Sequence, residues 1–82
     1  MNIMLKLINI KRTDEFIEAY YIPEDTNERG YVKIDMRTDA VVEHQLTKSD
    51  SVVADYFAMA RGKLMRIKND KDLPSSLCVM WY

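Results

Sequence analysis

Tyr31-Val32-Lys33-Ile34-Asp35-Met36, then Arg37-Thr38-Asp39, then Val41-Val42-Glu43-His44-Gln45-Leu46: residues 31–46 run as two extended stretches about a short polar break. Val32, Ile34 and Met36 share one face of the first stretch, and Tyr31, Lys33 and Asp35 share the other. That period of two is the mark of a strand with one face toward a core. The second stretch returns after too few residues for a crossover, so the pair is an antiparallel hairpin. Upstream, Ile3–Ile10 is apolar on both faces, Thr13-Asp14 makes a turn, and Phe16–Ile22 follows with the strand-forming pair Tyr20-Tyr21. Pro23–Gly30 is polar and contains both a proline and a glycine, which predicts a loop. Four strands with short connections imply an antiparallel meander.

After Leu46 the period changes. Val53, Phe57, Ala60, Leu64 and Ile67 recur at spacings of four and three, forming one helical stripe with Tyr56 at its margin. Asp55, Gly62, Arg66 and Asn69 fall opposite. Ser49 or Asp50 is the expected N-cap, and Asn69 the terminator before Pro74. A helix of about 20 residues would be about 30 Å long and would lie across the sheet. Leu77–Tyr82 reads as a fifth strand brought back by that helix; it and Ile3–Ile10 are both apolar enough to be central, so the sequence leaves the strand order open, with a place beside the N-terminal strand as one of its solutions. The expected fold is therefore α+β over residues 1–82, a single domain: an antiparallel meander of about four strands, one long helix on one face, and a C-terminal fifth strand.

Composition narrows the function classes. A chain of 82 residues is enough for one domain and not two. Its net charge of −1 gives no global basicity for nucleic acid. Cys78 is the only cysteine, so an intrachain disulfide is excluded and a reducing, cytoplasmic compartment is expected. No stretch approaches the ~20 apolar residues of a membrane span. The run Ile3–Ile8 lacks a basic leader and carries Lys6, so it reads as a strand and not a signal peptide.

Catalytic and cofactor signatures are missing. His44 is the sole histidine; it alternates with Val42 and Leu46 and is expected to point toward the core as a partly buried structural residue. Cys78 with His44 could make a nucleophile and base if their strands were adjacent, but a cysteine inside an apolar strand reads as a small inert hydrophobe. One histidine and one cysteine far apart make no zinc site, and Asp35, Asp39 and Glu43 lack calcium-loop spacing. Gly30 and Gly62 are isolated, so no phosphate loop is present. Gly30 is assigned to loop conformation, and Gly62 to tolerance on a solvent face. No cofactor and no enzymatic activity is expected.

Charge is segregated along the chain. Asp14, Glu15, Glu18, Glu24, Asp25 and Glu28 form an acidic segment without bases, while Arg61, Lys63, Arg66, Lys68 and Lys71 gather at the helix end. At 100° per residue these cations spread around the helix, which suits its dipole better than a phosphate track. One helix covers only one face of a five-stranded sheet, leaving Tyr20, Tyr21, Tyr31, Met36 and Met80 as candidates for an uncovered apolar face.

The pieces Pro23-Glu24-Asp25, Gly30-Tyr31-Val32 followed by Ile34-Asp35, and the terminal Val79-Met80-Trp81-Tyr82 resemble a group of small bacterial hypothetical proteins of similar length. The resemblance spans most of the chain and implies a compact bacterial α+β domain. It carries no activity and no functional residue.

Three readings follow. The favoured one is a non-enzymatic protein–protein interaction or accessory module, in homodimer form or with another protein, using the uncovered face (Tyr20, Tyr21, Tyr31) or the acidic loop Pro23–Gly30. The alternative is a nucleic-acid-associated regulator using Arg61, Lys63, Arg66, Lys68 and Lys71. The third is an enzyme or small-ligand protein built around His44 and Cys78.

Overall fold

A computed structural model describes residues 3–24, 26–50 and 55–81; Asp25, Val53 and Tyr82, and the side chains of Ile3, Met80 and Trp81, lie outside that description. Five strands and one helix follow in the order β1 (Ile3–Arg12), β2 (Phe16–Pro23), β3 (Gly30–Asp35), β4 (Val41–Gln45), α1 (Tyr56–Ile67) and β5 (Leu77–Trp81). They form a single antiparallel sheet in the order β4-β3-β2-β1-β5. The meander is present, and the fifth strand closes beside β1, with Ile3 opposite Trp81 and Leu7 opposite Leu77. Helix α1 links the two outermost strands by crossing one face.

Strand alternation sets what that face buries. Strand β2 alternates half-buried and buried at every position, so Ile17, Ala19 and Tyr21 point under the helix while Phe16, Glu18, Tyr20 and Ile22 point away. Val32 and Ile34 continue the buried row on β3, and Leu5, Leu7 and Ile10 on β1. Met59, Ala60, Leu64 and Ile67 of α1 close the core over them, with Phe57 half-buried at its margin. The predicted stripe is therefore present from Phe57 onward, with Met59 added. Met36 follows the end of β3 and packs half-buried against the core, so it does not belong to the uncovered face.

Two turns and a bulge fix the register. Between Ile8 opposite Tyr20 and Lys11 opposite Glu18, β1 uses one residue more than β2. Asn9 takes up the irregularity at φ 52°, a left-handed conformation asparagine tolerates better than most residues. The extra residue shifts the alternation, so Leu5 and Leu7 are followed into the core by Ile10 and not by Asn9. Thr13 Oγ1 accepts the Glu15 and Phe16 amides in the first turn. Asp35 Oδ1 accepts the Thr38 and Arg37 amides in the β3–β4 turn, and those two N–H groups hold its carboxyl below the ordinary value.

The helix is shorter than its periodicity predicts: 12 residues, or about 18 Å at 1.5 Å per residue. Its N-cap is Asp55, whose side chain accepts the Ala58 amide at 2.9 Å, and not Ser49 or Asp50. Asp50 still reaches the first turn from outside, taking the Phe57 amide at 2.7 Å. Two carboxylates thus satisfy amides that would otherwise lack partners. At the far end, Arg12 Nη1 donates to Lys68 O at 2.8 Å and Asp70 O at 2.6 Å, tying β1 to the terminal carbonyls.

Candidate functional site

Strand β4 is an edge of the sheet, paired with β3 alone, and beyond Val41 all its residues are exposed. Its register gives the face of each side chain. Val32 opposes His44, so His44 projects from the helix-covered face; Tyr31 opposes Gln45 and Lys33 opposes Glu43, so these two project from the other. A bulge between Lys33 and Ile34 places Val41 opposite Ile34 and leaves Val42 as the extra residue. Val42 and Leu46, 50% and 54% exposed, are the large hydrophobic side chains left in solvent among the described residues.

His44 faces the side expected of it, yet it is exposed. The reason is position: the helix starts only at Tyr56 and reaches this edge with the ring of Phe57, 5.4 Å from the imidazole by centroid. Beside that contact lies an open groove of about 600 Å³ between β4 and the first half of α1. Val41, His44, Leu46 and Phe57 supply its apolar wall, and Asp50, Asp55 and Arg61 its polar one.

Asp50 anchors the groove. Its Oδ2 accepts from Tyr21 Oη at 2.8 Å, from the Thr47 amide at 2.9 Å and from Thr47 Oγ1 at 2.7 Å, while Oδ1 takes the Phe57 amide. Burial acts to raise its carboxyl, but the hydrogen bonds from Thr47, Phe57 and Tyr21 outweigh that and hold it below the ordinary value. Tyr21 shifts upward, through burial first and then through its hydrogen bond and proximity to the Asp50 carboxylate. With both oxygens occupied, Asp50 serves as a structural link among β2, the β4–α1 connection and the helix start. It has little capacity left for a ligand.

The uncovered face is more dressed than its aromatic content suggests. Tyr20 and Tyr31 are cross-strand partners with ring centroids 5.1 Å apart. Arg29 sits 5.4 Å over the Tyr20 ring, and Lys33 lies 4.5 Å over Phe16. Tyr31 Oη donates to Glu18 Oε2 at 2.6 Å, and burial together with that carboxylate pushes the phenol up. Tyr21 does not belong to this face. Adjacent strand residues point to opposite sides, and Tyr21 is wholly buried under the helix.

The remaining sequence candidates separate in space. Arg61, Arg66 and Lys71 are exposed and Lys63 is half-buried, whereas Lys68 pairs with Asp39 and also donates to Met36 O. Lys68 therefore ties the β3–β4 turn to the helix end and is withdrawn from any free basic set. In the acidic loop, Glu28 accepts from the Lys48 amide at 2.8 Å and from Ser49 Oγ, bracing the β4–α1 connection. Cys78 is exposed on β5, opposite Lys6 on the helix-free face, and is not the buried hydrophobe its apolar strand suggests. His44 and Cys78 lie on opposite edges with three strands between them, so they cannot act as nucleophile and base on one substrate. No cluster of three potential metal ligands occurs among the described residues. No helix among them is long and apolar enough to cross a membrane.

The surface that sequence reasoning missed is the groove wall of His44, Leu46 and Phe57, with Val42 exposed on the same strand as His44. Its only signal was an apolar alternation running to Leu46 in a strand whose next element is a helix, so that nothing local returns to pair with it. Comparison with known proteins returned no matching family model, no matching curated protein and no matching solved structure.

Proposed function

We propose that this chain is a non-enzymatic protein–protein interaction module of the cytoplasm, and that its contact surface is the free edge of β4 with the groove beside it. One observation carries the reading: of the large hydrophobic side chains exposed among the described residues, Val42 lies on β4 and Leu46 directly follows it, lining the groove. Strand edges offer unpaired backbone donors and acceptors, and soluble proteins commonly guard them with lysine or proline. Residues 41–46 contain neither, and Glu43 is the only charged side chain among them. An extended segment added to β4 would complete its backbone hydrogen bonds, while the groove would receive side chains from alternate positions. The lone cysteine agrees with a reducing compartment.

The Tyr20–Tyr31 pair on the uncovered face supports this role less well, because Arg29 covers the Tyr20 ring and the Tyr31 hydroxyl is held by Glu18. A photo-cross-linking residue placed singly at Val42, Leu46 and Lys71 tests the reading in native cells. Polypeptide adducts at the first two positions and not at Lys71 are expected. Equal labelling at all three, or none at Val42 and Leu46, would refute it.

A further inference from the structure

We infer that the helix-free face of the sheet associates with the same face of a second copy, about a two-fold axis running along the strands between β2 and β3. This contact is separate from the β4 edge and its groove. A row of charges across the sheet carries the inference. Lys11 of β1 opposes Glu18 of β2, Glu18 opposes Lys33 of β3, and Lys33 opposes Glu43 of β4. Directly opposed residues share a face, and Glu18 points away from the helix, so all four do. The row alternates in sign across four neighbouring strands.

A two-fold axis along the strands reverses the order of that row in the facing copy. Placed between β2 and β3, it sets Lys11 over Glu43 of the second copy, Glu18 over its Lys33, Lys33 over its Glu18 and Glu43 over its Lys11. Every charge then meets its opposite in the other layer as well as in its own. Stacked sheets lie about 10 Å apart, a gap that lysine and glutamate side chains from the two layers span together. Other placements lose the match. An axis across the strands through the row sets each charge against itself, and an axis along β2 or β3 sets like against like. An axis between β1 and β2, or between β3 and β4, matches only half the row.

The same axis sets Tyr20 over Tyr31 of the second copy, and Tyr31 over its Tyr20, because the two oppose each other in the next row. The exposed Arg29 over the Tyr20 ring has to swing to the rim. The overlap is small and draws its central ion pairs out of water, so the association is weak. Lys11 and Glu43 are exposed and hold the outer places of the row. Two-fold symmetry counts every substitution twice. Lys11→Glu sets a carboxylate against Glu43 at both ends of the contact, and Glu43→Lys sets an ammonium against Lys11 at both. In a mixed dimer of the two variants every outer pair is again opposite in sign. The neighbours within each chain stay as unfavourable as before, so recovery on mixing reports contact between copies alone.

Sedimentation of the wild type and of each variant at low salt, from about 10 µM to about 1 mM, reads the association. Circular dichroism checks that each variant keeps its fold. Expected are a reversible wild-type dimer, a dissociation constant raised at least about tenfold in each single variant, and recovery to within about threefold in the equimolar mixture. Leu46→Glu, which alters the groove and not this face, should leave the constant unchanged. A wild type monomeric at about 1 mM overturns the inference. So does a dimer indifferent to both charge substitutions, one that the mixture fails to restore, or one that Leu46→Glu breaks. Should a variant lose its fold, the wild type alone decides: its constant should rise at least about threefold between about 0.05 and 0.3 M salt. A constant that does not rise overturns the inference.

Discussion

At the scale of single residues, the two glycines of this chain have opposite reasons to be there. Gly30 opens β3 directly over Tyr21, and a Cβ built at that position falls onto the phenol ring. Its backbone is not left-handed, so the loop conformation assigned to it from sequence is not what requires glycine; close approach is. Tyr21 cannot retreat freely, because it is fully buried and its hydroxyl is held by Asp50. Gly30→Ala should therefore destabilise the fold by about 1–3 kcal/mol, the usual range for overpacking a filled site. Gly62 lies within α1 with open space around the position of a Cβ. Gly62→Ala should stabilise by about 0.5–1 kcal/mol through helix propensity alone. Urea unfolding of both variants beside the wild type checks the pair. Equal effects of the same sign would show that the Tyr21 contact does not constrain Gly30.

At the scale of elements, the strands were legible because each carries its own alternation, and the helix stripe because Phe57, Ala60, Leu64 and Ile67 keep one face. The start of the helix was not legible. Asp50 and Asp55 are both competent caps in sequence, and the choice depends on Tyr21 arriving from β2 to occupy the Asp50 carboxylate. The bulge at Asn9 was hidden in the same way, since apolar residues on both faces of Ile3–Ile10 give no phase to lose. The candidate site was legible only in part. Val42 and Leu46 look like ordinary core-facing positions until the topology makes β4 an outer strand that α1 barely reaches. Asp50 itself supports a prediction about pH. Its carboxyl is lower in the folded chain than in the unfolded one, so the folded state releases that proton more readily. The resulting stability is complete above the unfolded carboxylate value of about 3.9, and it is lost as pH falls through the folded value. Asp50→Asn should cost about 1–3 kcal/mol at neutral pH, the scale of hydrogen bonds to a charged group. The gap to the wild type should close in acid. Chemical unfolding at a series of pH values reads it directly, and a gap that stays constant into acid would mean that charge plays no part in the link.

At the scale of the whole molecule, the sheet order separates contacts that close early from one that closes late. The β2–β3 and β3–β4 pairs join through short connections, whereas β5 meets β1 only after α1 has crossed the sheet, bringing the two ends of the described chain together. Loop closure is costlier for the longer separation, and contacts distant in sequence slow folding when they belong to the nucleus. The meander should therefore form first and β5 dock afterwards. Ile17, fully buried at the centre of β2, and Val79, half-buried on β5 opposite Leu5, report on the two stages. Ile17→Ala should cost about 2–4 kcal/mol, with a large part appearing as slower folding. Val79→Ala should cost about 1–2 kcal/mol and leave the folding rate nearly unchanged, speeding unfolding by roughly 5- to 30-fold. Stopped-flow chevrons on the two variants separate these outcomes. If Val79→Ala slows folding in proportion to its cost, β1–β5 pairing belongs to the nucleus, and the chain closes its ends before its meander is complete.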